Sequence, residues 1–456
     1  MDLVNPVVRG WQREALEQSD AFWARAADAL PWSRRWDQVL DWSPPTFRWF
    51  AGGQTNLSYS CLDHHVAAGW GGHCALIAED ERGGRSVFTY AQLLEAVKEL
   101  AAALRGLGVE KGDRVTIYMP TCAEAIALML ATTRIGAIHL VVFAGFGAGA
   151  LADRIAMSGS RVVFAADVTY RRGREVALKG IVDQAVEAAG QTVERVVVLR
   201  RGAADPPMRS GRDLAWDDFL RLGDGQERGH AAMEANEPAF ILATSGTTAK
   251  PKLAVHVHGG YQVWVHAMAG WVFGLRPTDI WWSTSDIGWI VGHSYIVYAP
   301  LLVGSTTIAY EGALDHPDAQ VFYRTVEANH VSGVFTSPTA VRLLMRFGLE
   351  PARRHDLSSL AKVFCAGEVL NPPAWEWLQR DVLAERVPVI DHMWQTETGG
   401  PIVGNPYGLG MLPIKPGSSG IPLAGIEAAI VTPEGEPCGP NEKGIFVIKR
   451  PFPGLT

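Results

Sequence analysis

From residue 47 onward, short β-branched runs alternate with amphipathic stretches, and Gly, Pro or Asp turns separate them. Strands that alternate with helices are joined by crossovers, which produces mostly parallel sheets covered by helices. The pattern predicts an α/β fold with strands at residues 114–119, 138–143, 161–165, 193–199, 239–243, 279–284, 306–310, 333–336 and 363–365. Helical patterns occupy residues 90–106, 122–135, 176–188 and 318–328. After about Gly417 the character shifts, and residues 426–431, a Pro433-Glu434-Gly435 turn and residues 444–448 read as an antiparallel hairpin. The first fifty residues are rich in tryptophan and helical in pattern at 22–30 and 36–40. The expected organisation is an N-terminal helical cap (1–50), an α/β core of stacked sheets (51–416) and a small β-barrel-like subdomain (417–456).

The chain has 456 residues, which is room for roughly three domain-sized units. Apolar residues make up 48% and charged residues 20%, which excludes a disordered or collagen-like chain. The formal charge is 41 − 48 = −7, so nucleic acid is not an expected partner and an anionic ligand needs a local cluster of donors. Cys61, Cys74, Cys122, Cys365 and Cys438 are scattered without C-x-x-C or zinc-ribbon spacing, which fits a reducing compartment. The first residues lack the basic and apolar regions of a secretory signal. The most apolar stretch, residues 125–149, is interrupted by Arg134, His139 and several glycines and falls short of a membrane span. A soluble cytoplasmic protein without a membrane partner is expected, with a homo-oligomer left open.

Four stretches could carry chemistry. Gly145-Phe146-Gly147-Ala148-Gly149-Ala150 fits a dinucleotide fingerprint, with Asp167 about 20 residues on, but three or more elements precede it and the glycine-softened βα turn is the better reading. Thr244-Ser245-Gly246-Thr247-Thr248-Ala249-Lys250-Pro251-Lys252 follows an apolar strand. Its short side chains leave backbone N–H groups free to form an anion nest, and its hydroxyls and ammonium groups donate further. It lacks the G-K-[ST] ending of a Walker A loop, and Ser/Thr-rich strand-to-helix turns also serve as plain N-caps. Asp391-His392-Met393-Trp394-Gln395-Thr396-Glu397-Thr398-Gly399-Gly400 stands at a strand's C-terminal end, where parallel sheets bind ligands. Tyr170-Arg171-Arg172-Gly173-Arg174 is a dense cationic run whose arginine forks suit a terminal phosphate, or a solvated loop. His64, His65, His256 and His258 show no metal-ligand spacing and read as structural or exposed.

At these residues the sequence resembles the adenylate-forming superfamily, specifically the AMP-forming acyl-CoA synthetases of the acetyl-CoA and propionyl-CoA synthetase branch. The run from Thr244 to Lys252 is similar to that family's T-S-G-[ST]-T-G-K-P-K-G, and Asp391 to Gly399 to D-x-[WY]-W-Q-T-E-T-G except at Met393. Trp49-Phe50, Asn56-Leu57-Ser58-Tyr59, Ser285-Asp286-Ile287-Gly288-Trp289, Ala366-Gly367-Glu368 and Lys449-Arg450-Pro451-Phe452 extend the resemblance over nearly the whole chain. It implies the large N-terminal domain of that superfamily, ATP, CoA and Mg²⁺ as cofactors, and a short-chain carboxylic acid, propionate or acetate, as substrate. The acid is activated to acyl-AMP with release of pyrophosphate and then transferred to CoA.

The same resemblance assigns roles. Thr244, Ser245, Gly246, Thr247, Thr248 and Lys252 hold the outer phosphates, with Thr248, Lys252 and Glu397 as the catalytic set and Glu397 on Mg²⁺. Gly367, Glu368 and Val369 line the adenine, and Asp391, His392, Met393, Trp394, Gln395 and Thr396 complete the nucleotide pocket. Arg171, Arg172, Gly173 and Arg174 meet the 3′-phosphate end of CoA. Ile290, Val291, Ala366 and Trp394 wall the acyl pocket. Val291 stands where acetate enzymes of the branch usually have threonine, and Ala366 where they usually have valine.

The sequence departs from the pattern at Ala249 and Leu253, in place of glycine, at Arg172, in place of glycine, and at Val369, in place of proline. The family's ribose-binding acid, hinge and adenylation lysine are expected beyond Thr456, with the C-terminal lid domain. Two alternatives stay open at this level: an NAD(P)-dependent oxidoreductase using the Gly145 turn, and a non-catalytic nucleotide-binding protein.

Overall fold

The computed structural model describes residues 4–190, 192–244 and 251–456. Two seven-stranded sheets carry the fold. Numbered in chain order, their strands are β1 (Cys74–Asp80), β2 (Arg85–Thr89), β3 (Arg114–Tyr118), β4 (Ile138–Val141), β5 (Val162–Ala166), β6 (Arg195–Leu199), β7 (Asp213–Ala215), β8 (Pro238–Thr244), β9 (Lys252–Val257), β10 (Ile280–Ser283), β11 (Thr306–Glu311), β12 (Gly333–Thr336), β13 (Lys362–Cys365) and β14 (Val389–Asp391). The first sheet runs β7-β6-β5-β3-β4-β8-β9 and the second β14-β13-β12-β10-β11-β1-β2. All neighbours are parallel except the edge pairs β8–β9 and β1–β2.

Successive side chains of a strand point to opposite faces, and here both faces are apolar. Ile117, Val197, Trp281, Phe335 and Phe364 fall into one apolar cluster shared by the two sheets. Their chain neighbours Trp282, Val334 and Val363 join a second cluster, and Tyr118, Val196 and Val198 a third. The shared cluster is filled by the helices Tyr90–Gly106, Ala123–Arg134 and His258–Trp271. Helix Ala123–Arg134 is buried on every side from Ala125 onward. Its last residue, Arg134, is 2% exposed and forks onto Asp63 at 2.7 and 3.0 Å, since a charge taken out of water must be paired. Helix Tyr90–Gly106 begins with a capping box between Thr89 and Gln92.

Most expected strands appear within a residue or two, and the 90–106 helix is present at its expected bounds. Two helical expectations are corrected. Residues 36–40 contribute to a strand, Gln38–Ser43, which pairs with Thr46–Ala51 across Pro44-Pro45, where a helix could not continue. The helix expected from 176 starts at Leu178, because Arg174–Ala177 pairs with Val168–Arg171 as a hairpin. The N-terminal stretch also holds helices Pro6–Glu17 and Ser19–Ala27. Within 417–456, Ala428–Val431 pairs antiparallel with Ile445–Ile448. Among the described residues no helix is long and apolar enough to cross a membrane.

His139, His256, His258, His293 and His392 are each no more than 2% exposed. Burial disfavours their charged form, lowering His256 to about 4 and His258, His293 and His392 to about 3, and pushing His139 well down. Unfolded histidines take up protons near pH 6.5, so these groups stabilise the fold above that value and lose their contribution as pH falls toward their folded values. Each is worth roughly 1.4 kcal/mol per pH unit in that window. Asp391, raised by burial to about 6, opposes the trend by about 1 kcal/mol. The melting temperature is therefore expected to drop steeply from pH 6.5 to 5; a flat profile by differential scanning fluorimetry would contradict the assignment.

Candidate functional site

Parallel strands leave their C-terminal ends free for ligands, and here the ends of both sheets converge on one cavity of about 430 Å³. From the first sheet come Pro120 and Thr121 after β3 and Phe143, Ala144 and Gly145 after β4. From the second come Thr284, Ser285 and Asp286 after β10, Glu311 and Gly312 at the end of β11, Thr336 and Ser337 at the end of β12, and Ala366 after β13. Of the expected acyl-pocket residues, Val291 and Ala366 line this cavity together with Phe335. Trp394 packs behind them, edge-on to Tyr295 at 5.5 Å and 6.2 Å from Phe335. Ile290 is buried outside the lining.

Arg171 also lines the cavity, without a carboxylate partner within ion-pair distance among the described residues. It ends the hairpin strand Val168–Arg171, and Arg172-Gly173 forms a two-residue turn with φ of +52° and +70°. That turn is already satisfied from within. The Glu81 carboxylate accepts from the N–H of Arg172 at 3.0 Å and of Gly173 at 2.7 Å, and Arg172 forks onto Asp315 at 3.1 and 2.8 Å. Arg174 is exposed at the start of the return strand.

Asp286 sits on the cavity wall, its carboxylate accepting from Gly288 N–H at 2.7 Å and Thr121 Oγ1 at 3.0 Å. Burial pushes its pKa up despite those donors. Glu311 is neutralised by Arg201, and it also accepts from Thr169 Oγ1 at 2.8 Å. The sequence reading missed Asp286, Glu81 and Asp315 as site residues; Asp286 lies inside a stretch that carried the resemblance, but nothing in its spacing marked it.

Thr244 ends β8 and Lys252 opens β9, and the two are register partners. The Ser/Thr-rich run thus joins the two strands of an antiparallel pair, and not a strand to a helix as in a plain N-cap turn. Ser245, Gly246, Thr247, Thr248, Ala249 and Lys250 lie outside the described residues.

The nucleotide-pocket residues follow β13 and β14. Gly367 has φ +100°, a conformation that favours glycine. Glu368 is paired with Arg342 at 2.6 Å and bonded to Thr339, and Val369 is 61% exposed. Asp391 accepts from Leu370 N–H at 3.0 Å and His392 N–H at 3.1 Å, which ties the 366–370 loop to the end of β14. His392 is buried among Phe273, Phe335 and Phe364. Met393 pairs with Val403, and Gln395 closes a short turn over Thr396–Thr398. Glu397 rides on that turn, half-buried, and its carboxylate has no hydrogen-bond or ion-pair partner among the described residues.

Asp167, the acid of the dinucleotide reading, is buried and accepts from the N–H groups of Val168, Arg201 and Gly202. It has no free oxygen for a ribose, and the Gly145 turn is part of the cavity wall; the oxidoreductase reading is set aside.

Residues 63–455 match the AMP-binding enzyme family, so the chain belongs to that family. Residues 9–61 match the acetyl-coenzyme A synthetase N-terminus. Over 97% of this chain and 68% of its own length, the acetyl-coenzyme A synthetase of Deinococcus radiodurans is 46% identical. That of Pyrobaculum aerophilum is 44% identical over 98% of this chain, and that of Streptomyces coelicolor 45% over 97%, each covered over 68% of its own length.

Proposed function

We propose that this protein activates a short-chain carboxylic acid with ATP and passes the acyl group to CoA. The acid's oxygen attacks the α-phosphorus of ATP, and the bond to pyrophosphate breaks. The CoA sulfur then attacks the acyl carbonyl, the bond to AMP breaks, and the thiol proton is lost. The observation that carries this reading is the single cavity at the converging strand ends, small and apolar at Val291, Ala366 and Phe335 and cationic at Arg171, in a member of the AMP-binding enzyme family.

Among the described residues no group of three or more His, Cys, Asp or Glu could hold a metal alone. A lone free carboxylate fits Mg²⁺, which takes one or two carboxylates and fills the rest of its shell with phosphate oxygens and water. Glu397 would hold it, and the ion would neutralise charge on the triphosphate. Thr244 and Lys252 close the mouth of the hairpin loop, from which Ser245 to Thr248 would donate to the outer phosphates. Asp391 to Thr396 and Gly367 to Val369 would shape the nucleoside pocket. Arg171 and Arg174 would meet the phosphate end of CoA. All five cysteines are free, which supports a reducing, cytoplasmic setting.

We read propionate as the preferred acid, with acetate accepted. Alanine at 366 opens the wall, and each buried CH₂ is worth ~0.8 kcal/mol, or roughly fourfold. Acid-dependent release of pyrophosphate from ATP, measured with a series of acids, tests the assignment. Propionate is expected to exceed acetate, Ala366→Val to reverse that order, and Trp394→Gly to admit longer chains. Octanoate or benzoate used better than propionate by the unaltered protein would overturn it.

Lys252→Ala is expected to weaken ATP about tenfold and AMP hardly at all, since one charge-assisted hydrogen bond contributes about 1.5 kcal/mol. Equal loss for both nucleotides, by calorimetry, would mean that the loop does not read the outer phosphates. Asp315→Ala frees the Arg172 fork, so the preference for CoA over dephospho-CoA should rise by a few-fold, the scale of one exposed ion pair. An unchanged ratio of the two affinities would place the 3′-phosphate elsewhere.

A further inference from the structure

The turn that carries Glu397 has its backbone carbonyls taken by three separate parts of the chain. Thr396 O accepts from His256 Nε2 at 2.9 Å, Glu397 O from Thr456 N–H at 3.0 Å, and Gly399 O from Ser294 Oγ at 2.6 Å. Ser294 is itself bonded to Tyr261 Oη at 2.8 Å. Two glycines let the turn lie flush on this support. A Cβ on Gly399 would stand 3.2 Å from the Tyr261 ring and 3.3 Å from His256, and one on Gly400 would meet Trp264 Nε1 and Tyr295 Oη at 2.9 Å.

His256 belongs to β9, four residues beyond Lys252, so a single extended strand spans roughly 13 Å from the mouth of the outer-phosphate loop to the Glu397 turn. The ring is fixed in place. It stacks on Phe240 at 4.7 Å, its register partner on β8, and meets Tyr261 edge-on at 5.1 Å. A carbonyl can only accept, so Nε2 carries the proton and the neutral ring is the donor. Burial keeps it neutral, with a pKa of about 4.

We infer that His256 is a positioning residue: by bonding Thr396 O from the strand that begins with Lys252, it sets the turn that carries Glu397 at a fixed place relative to Lys252, so that triphosphate and its divalent cation are bound together. This rests on the nucleotide reading above. A buried histidine in a strand has an ordinary packing role as well, and the two roles separate in measurement. Packing supports every ligand equally, whereas the clamp concerns only the outer phosphates and the cation.

The test uses His256→Gln and His256→Asn. Both lose the ring, but the glutamine amide reaches the position of Nε2 and the shorter asparagine amide does not. ATP with Mg²⁺, ATP with a chelator, and AMP are titrated against each variant by calorimetry. For His256→Asn, affinity for ATP with Mg²⁺ is expected to fall about tenfold, the scale of one buried hydrogen bond, with the gain from Mg²⁺ largely lost and AMP within twofold. His256→Gln should stay within about threefold of the unaltered protein for all three. Ser294→Ala, which leaves the ring in place, should act in the same direction as His256→Asn by a smaller factor. Equal weakening of AMP and ATP, or no difference between the Gln and Asn variants, would overturn the clamp. Should either histidine variant fail to fold, an unchanged Mg²⁺ gain in Ser294→Ala would overturn it as well. An unaltered protein that binds neither nucleotide would instead refute the functional reading itself.

Discussion

The structure depends on one constraint: a parallel sheet built by crossovers must bury both of its faces. Two such sheets stand side by side, and one apolar layer serves the inner face of each. That layer explains why helix Ala123–Arg134 is apolar all round and why its one arginine needs Asp63. It also explains the alternation along the strands, with Trp281 facing inward and Trp282 outward. Because the layer holds the sheets in a fixed relation, the C-terminal ends of β3 and β4 meet those of β10 to β13, and a cavity forms between them.

Loops at that junction leave strands and so carry unpaired backbone N–H groups, which carboxylates satisfy. Asp167 collects three, Glu81 takes those of Arg172, Gly173 and Ala313, and Asp391 takes two. Asp286 holds Gly288 and Thr121. These acids resemble catalytic groups by composition and position, yet their oxygens are spent on shaping the loops. Glu397 differs: its turn is held by its carbonyls, and its carboxylate has no hydrogen-bond or ion-pair partner among the described residues.

The cationic hairpin is likewise partly satisfied from within. Arg172 stands where the family pattern has glycine, and Asp315 takes up its guanidinium, so the extra charge is cancelled within the protein. Arg171, one residue earlier at the end of its strand, lines the cavity instead. Spacing along the chain placed four residues in one cationic run; the two-residue turn separated them into different environments.

Local pattern alone determined the class of fold. Apolar runs bounded by turns located the central strands, and an amphipathic period located the 90–106 helix, because burial on one face acts over a few residues and leaves its mark in order. The motif residues were legible for the same reason, since Thr244 to Lys252 and Asp391 to Gly400 are contiguous. Where a short segment pairs with an adjacent edge, pattern misled, as at residues 36–40 and 176–177, because strand pairing can override a helical period. Only the tertiary structure decided that Thr244 and Lys252 close a hairpin, that Arg171 lines the same cavity as Val291 and Ala366, and that His256 touches Thr396 across 140 positions. Those relations depend on which surfaces the two sheets bury against each other, and no local periodicity encodes them.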